Sequence, residues 1–145
     1  LNVTVKKMRV APVELPYVHI TWPRVSDYIN EALVVGSEGE PLYNLHHVQG
    51  YVASGEWLLL VAVDEQNEIH GAMTVSFKNY PLHRVAFITT VGGKFILTQD
   101  MYEQLTAVLR FKGATMIQAY GRPSMVRLLK RRNLKARNTL VEATL

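Results

Sequence analysis

Between Trp57 and Leu145 the spacing of apolar residues changes twice, and few folds satisfy that order. Trp57 to Val63 (WLLLVAV) is almost wholly apolar. A run this short suits a strand covered on both faces better than a buried helix. Ile69 to Phe77 alternates instead: Ile69, Gly71, Met73, Val75 and Phe77 on one side, His70, Ala72, Thr74 and Ser76 on the other. Arg84 to Val91 reads as a third strand. Polar turns over Asp64–Asn67 and Lys78–His83 separate these runs, so the three form an antiparallel meander. The period then becomes helical. Thr98 is an N-cap, Met101, Tyr102, Leu105, Val108 and Leu109 share one face, and Lys112-Gly113 ends the helix. Ala114 to Tyr120 is again a strand, which implies a parallel pair joined by a crossover. Gly121-Arg122-Pro123 opens a basic helix to about Arg132, and Thr139 to Leu145 is a closing strand.

Upstream, Asn2 to Val10 reads as a first strand. Pro12 and Pro16 mark Ala11–Ile20 as a loop. Thr21-Trp22-Pro23 opens a helix, with Thr21 as N-cap and Pro23 in the first turn. Val25, Tyr28, Ile29 and Leu33 form its apolar face. Gly36 to Glu40 ends it, and a second helix runs from about Pro41 to Ser54-Gly55.

At 145 residues with 48% apolar content, residues 1–145 read as a single domain able to bury a core. No apolar run reaches the ~20 residues that cross a bilayer, and no signal pattern opens the chain. Cysteine is absent, which excludes disulfides and thiolate metal sites and fits a cytoplasmic protein. The net charge of +4 hides an asymmetry. Val25 to Phe77 holds eight acids and no Lys or Arg, whereas Gln104 to Val141 holds nine bases and no acid. Either the basic segment meets a phosphate, nucleic acid or acidic protein surface, or the two segments face each other or water.

With these elements in place, the chain resembles the GCN5-related N-acetyltransferase (GNAT) fold, and within it a divergent bacteriophage-type branch. The residues that carry the likeness are "SGEWLLLVAV", "IHGAMTV" leading to "NYPLHRVAFITTVGG", and "IQAYGRPSMVRLLKRRNLKARNTLVEATL". The resemblance implies an α/β (α+β) architecture: a central mixed sheet, an antiparallel meander followed by β-α-β-α-β, splayed where the parallel pair begins. It also implies two functional positions. One is a glycine-rich turn before a helix, where backbone amides receive the coenzyme A pyrophosphate. Here that turn is Val91-Gly92-Gly93-Lys94, and Asp100 and Glu103 stand in the first helical turn, where an acid disfavours a bound anion. The other is a tyrosine acid in the last helix. Leu129 occupies its place and has no proton to give; Tyr120 is the nearest phenol, and His70 is a candidate base on the sheet.

Those two departures set the functional expectation. It is a non-catalytic binding or structural component, leaning away from an enzyme, with a phage virion or assembly role. No cofactor is expected, and coenzyme A is expected to bind no tighter than about 100 μM. The alternative is an acetyl-coenzyme A-dependent N-acyltransferase with an unusual cofactor loop. Arg127, Lys130, Arg131 and Arg132 form the expected partner surface. It would meet an acidic protein surface, a neighbouring copy or other virion proteins; nucleic acid ranks behind these because no aromatics interleave the bases. Location follows as cytoplasmic, or host cytoplasm and virion for a phage protein. No metal spacing, Walker loop or nucleophile elbow is present, and His46-His47 point apart on a helix.

Overall fold

The computed structural model describes residues 7–36, 41–95, 98–121 and 123–145. Its elements are β1 (Arg9–Pro12), α1 (Val18–Gly36), α2 (Leu45–Ala53), β2 (Trp57–Val63), β3 (Ile69–Asn79), β4 (Arg84–Gly93), α3 (Gln99–Phe111), β5 (Met116–Ala119) and α4 (Pro123–Lys130). One five-stranded sheet runs β1-β2-β3-β4-β5. The first three pairings are antiparallel and β4–β5 is parallel, the mixed GNAT-like sheet.

β2 explains its own composition. Leu58, Leu60 and Ala62 face the α3 cluster with Met73, Val75, Ile88, Met101, Leu105 and Leu109. Trp57, Leu59, Val61 and Val63 face the α1–α2 cluster with Val18, Trp22, Val25, Ile29, Val48 and Val52. Every residue of the strand thus has an apolar neighbour, which is why it shows no polar alternation.

Several boundaries differ from expectation. α1 begins at Val18, not Thr21, because a 3-10 turn over Leu15–Tyr17 with Pro16 in it already starts the coil. The buried stripe then runs Val18, Trp22, Val25, Ile29, which holds Pro23 in the helix despite its missing N–H. α2 starts four residues later than Pro41, at a capping box: Asn44 Oδ1 accepts the His47 N–H at 3.1 Å, and His47 Nδ1 accepts the Asn44 N–H at 3.0 Å. A break in register at Ala62/Val63 leaves His70 without a β2 partner. Ile69 consequently packs with the α1–α2 cluster, opposite to the side given by simple alternation. β1 is formed by Arg9–Pro12; most of the expected Asn2–Val10 strand lies outside the described residues.

The expected closing strand is the largest correction. Residues 134–145 form neither helix nor strand, and 139–145 are exposed throughout. The sheet ends at β5, so the last strand of the expected β-α-β-α-β run is missing from it.

Candidate functional site

The sheet opens between its two parallel strands. β4 and β5 pair only from Val85↔Met116 to Ile88↔Ala119, yet β4 continues to Gly93. At the parting point β4 bulges: Val75 faces Ile88 and Thr74 faces Thr90, leaving Thr89 unmatched. A bulge residue takes its carbonyl out of the ladder. The Thr89 carbonyl instead accepts a hydrogen bond from the Tyr43 hydroxyl at 3.2 Å. Tyr43 sits just before α2, with its ring edge-on to Trp57 (5.2 Å), and Trp57 stacks on Tyr51 (4.6 Å). Partial burial raises the Tyr43 pKa above the usual phenol value, which keeps it a donor.

Three hydroxyls lock the bulge from inside. Thr74 Oγ1 lies 2.8 Å from Thr89 Oγ1 and 2.6 Å from Thr90 Oγ1, and Thr89 Oγ1 donates to the Thr74 carbonyl at 3.0 Å. Neither the threonine set nor Tyr43 stands out in the sequence. Tyr43 is an isolated aromatic between Leu42 and Asn44, 46 positions from its partner.

Tyr120 follows β5 directly beyond the last paired residue. Its ring meets Phe87 edge-on at 5.0 Å and it is 68% exposed. His70 is elsewhere. Its Nε2 lies 2.7 Å from Asp64 Oδ2, while Asp64 Oδ1 accepts the N–H groups of Gln66 (2.8 Å) and Glu68 (3.0 Å). Asp64 therefore closes the β2–β3 turn, and His70 is its outer partner. The hydrogen bond from His70, with those from the Glu68 and Gln66 amides, holds the buried Asp64 carboxyl at about 2 against a burial effect that opposes them. A value lowered in the folded state stabilises fully above the ordinary carboxylate range and is lost as pH falls from about 4 towards 2. Asp64→Asn is expected to lower Tm at pH 7 and to flatten that acid limb, read by thermal melts from pH 2 to 7; an unchanged limb would remove Asp64 as its cause.

The Val91–Lys94 turn has internal employment. A Cβ on Gly92 would overlap the Tyr28 carbonyl oxygen and lie 3.3 Å from Ala32 Cβ, so this glycine lets α1 approach the sheet. Gly93 has φ +70, and a Cβ there would come within 2.6 Å of the His70 carbonyl oxygen. The Lys94 N–H donates to that same carbonyl at 2.7 Å. Val91 packs against the α3 cluster. The Lys94 side chain is exposed.

Thr98 caps α3 by accepting the Met101 N–H at 3.2 Å. The two acids are tied along the helix flank: Asp100 accepts from Gln104 Nε2 (2.9 Å) and Glu103 from Gln99 Nε2 (3.1 Å). Arg132 reaches the same helix start, its Nη1 donating to Gln99 Oε1 at 3.1 Å. On α4 and the turn after it, Arg127, Lys130 and Arg131 are exposed, whereas Val126 and Leu129 are half-buried. Among the described residues no group of three or more His, Asp or Glu is placed to hold a metal, and no helix is long and apolar enough to cross a membrane.

No protein-family model matches the sequence, and no curated protein matches it. Solved structures do. An aminoglycoside acetyltransferase from an uncultured soil metagenomic sample aligns with a TM-score of 0.67 at 12% identity, over 96% of this chain and 99% of that one. A second such enzyme, also from an uncultured soil metagenomic sample and in complex with sisomicin, gives 0.64 at 13%, over 95% and 96%. A predicted acetyltransferase with acetyl-CoA from Clostridium acetobutylicum gives 0.63 at 12%, over 95% and 96%. These proteins correct the expectation of a non-catalytic virion or assembly component and the leaning away from an enzyme, since what the chain resembles end to end is a set of named acetyltransferases. Nothing in them supports a bacteriophage branch. At such identities the likeness establishes the fold: the chain has the GNAT-like α+β architecture.

Proposed function

We propose that the protein is an N-acyltransferase that takes its acyl group from acetyl-coenzyme A and passes it to an amine. The observation that carries this reading is the parting of β4 and β5 at the bulged Thr89, whose carbonyl the Tyr43 hydroxyl meets and beside which Tyr120 follows the last paired residue of β5. The donors for an anionic group gather at the start of α3, where Arg132 reaches Gln99 and offsets the exposed carboxylates of Asp100 and Glu103. Lys94, the first-turn N–H groups of Gln99 and Asp100, and Arg132 would hold the phosphates. Gly92 and Gly93 lie against Tyr28 of α1 and the His70 carbonyl, so this reading gives the phosphates to the other donors. When bound, acetyl-coenzyme A supplies an activated thioester carbonyl.

The chain's own residues then divide the work. Tyr43 keeps its proton on the Thr89 carbonyl and fixes the shape of the opening. Tyr120, exposed and unengaged by any described hydrogen bond, holds at its hydroxyl the proton that the leaving sulfur needs. The exposed acids Asp27, Glu31 and Glu56 on the α1–α2 side favour an acceptor that carries positive charge. A cytoplasmic setting belongs to the same reading, in keeping with a chain that has no cysteine.

Calorimetry with acetyl-coenzyme A tests the binding half. The expected dissociation constant is below about 100 μM, worth roughly 5.5 kcal/mol. Arg132→Gln with Lys94→Gln should weaken it by about tenfold, more at low salt. No heat at millimolar ligand overturns the reading. For the chemical half, Tyr120→Phe should lower kcat by about 10²-fold with acetyl-coenzyme A affinity unchanged; undiminished turnover excludes Tyr120 as the acid.

A further inference from the structure

The end of the sheet opposite the opening carries apolar side chains in open solvent. Leu82, in the β3–β4 turn, is 89% exposed, and Phe111, the last residue of α3, is 88% exposed; Tyr80, beside Pro81, is 49% exposed. Single exposed apolar residues are ordinary, but these belong to two elements joined to each other. Arg84 Nε donates to the Lys112 carbonyl at 3.1 Å, the Arg84 N–H donates to Thr115 Oγ1 at 3.0 Å, and the Thr115 N–H donates to the Arg84 carbonyl at 2.9 Å. The turn is thereby tied to the end of α3. It is also closed on itself, by the Tyr80 N–H donating to the His83 carbonyl at 2.7 Å and by Arg84 lying 4.6 Å over the Phe77 ring. The apolar tips are therefore held in place before any partner arrives.

The charge around the tips is mainly positive. No acid lies between Ile69 and Gln99 or between Gln104 and Val141, the two segments that build this end. Lys78, whose Nζ lies 5.4 Å from the Tyr80 ring centre, Arg110 and the half-buried Lys112 flank the apolar residues. Two acids reach this end from elsewhere: Glu14, which borders a groove with Pro12 and Phe111, and Glu56, one residue before the Trp57↔Ser76 pair. Lys78, Arg84, Arg110 and Lys112 outweigh them. Apolar tips rimmed by bases, with a tyrosine at their foot, suit the surface of an anionic bilayer. The apolar side chains enter the acyl boundary, the phenol sits at headgroup depth and the bases meet anionic lipid. A protein partner would need a separate pocket for each protruding side chain, whereas a fluid bilayer accepts both where they stand. Nucleic acid would engage the bases but leave Leu82 in water.

We propose that the β3–β4 turn and the end of α3 form a docking surface for an anionic lipid bilayer, with Leu82 and Phe111 inserted and Lys78, Arg110 and Lys112 on the headgroups. β4 rises from Arg84 at this surface, passes the bulged Thr89 and ends at Gly93. The docked protein therefore holds its opening away from the bilayer and facing water. The inference stands on the exposed tips and their charge, independently of the acyl-transfer reading.

The test is co-sedimentation of the full chain with vesicles of phosphatidylcholine alone and of phosphatidylcholine with about 30% phosphatidylserine, at low and high salt. Binding should be at least about tenfold tighter on the anionic vesicles and should weaken as salt rises. Leu82→Glu with Phe111→Glu should reduce it by about tenfold or more. Tm should not change, because neither side chain belongs to a core cluster. Lys78→Gln with Lys112→Gln should cost about tenfold on the anionic vesicles and nothing on the neutral ones. Leu82→Trp should bind at least as tightly as the parent, since tryptophan suits the interface. Absence of binding at about 1 mM anionic lipid overturns the proposal, as does binding indifferent to either pair of changes. Loss of binding in Leu82→Trp overturns it too, since that marks a shaped pocket. So does equal binding to immobilised polyglutamate, since that marks an acidic protein as the partner.

Discussion

Gly92→Ala is expected to cost about 3 kcal/mol or more and to lower Tm by roughly 10 °C, although it adds one methyl group. The added Cβ would overlap the Tyr28 carbonyl oxygen and lie 2.9 Å from the Tyr28 carbonyl carbon. Both are backbone atoms of α1, so no rotamer change relieves the clash and the helix itself must lift. Lifting it unpacks Val25 and Ile29, which are fully buried against the sheet. Gly50→Ala is the internal control. Gly50 lies within α2, and nothing stands within 4 Å of its Cβ position. Helix propensity alone then acts, and this substitution should stabilise by about 0.5–1 kcal/mol. Thermal and urea unfolding of the two variants should therefore move in opposite directions. A Gly92→Ala protein as stable as the parent would show that α1 does not rest on β4 as described.

The same glycine marks the limit of what the sequence discloses. β2, β3, β4 and α3 are legible because each is set by a period within one segment: the apolar run of Trp57–Val63, the alternation after Ile69, and the Thr98 cap before Met101. Gly92-Gly93 reads equally well as an anion nest, because the contact that explains it comes from Tyr28, far away in the chain. The two breaks in register are hidden for a related reason. A bulge belongs to a pair of strands, and neither Thr89 nor His70 shows from its own neighbours that its partner strand will skip it. Tyr43 gains its role only through that skip. The strand expected at Thr139–Leu145 is a different case. Its composition is strand-like, but composition specifies no partner, and its own β5 edge is left without it.

Thr74→Val should destabilise the protein by about 2–4 kcal/mol, and Thr74→Ser by about 1 kcal/mol. The hydroxyl geometry permits one consistent order of donors: Thr90 to Thr74 Oγ1, Thr74 to Thr89 Oγ1, and Thr89 to the Thr74 carbonyl. Each donor then has one acceptor, with Thr74 in the middle. Valine keeps the shape but removes that middle, leaving the buried Thr90 hydroxyl without its acceptor and Thr89 Oγ1 without its donor. An orphaned buried polar group costs about 1–3 kcal/mol, which accounts for most of the expected loss. Serine restores the hydroxyl and gives up only a methyl group. The threonines also set where the Thr89 carbonyl stands, and Tyr43 meets that carbonyl at the mouth of the opening. Under the acyl-transfer reading, Thr74→Val should therefore lower kcat by about tenfold with little change in acetyl-coenzyme A affinity, and Thr74→Ser should recover most of it. Urea unfolding of the three proteins measures the first effect and steady-state kinetics the second. Equal stability of the valine and serine variants would show that the hydroxyl chain does not hold the bulge. Equal kcat for the parent and the valine variant would separate the bulge from the chemistry.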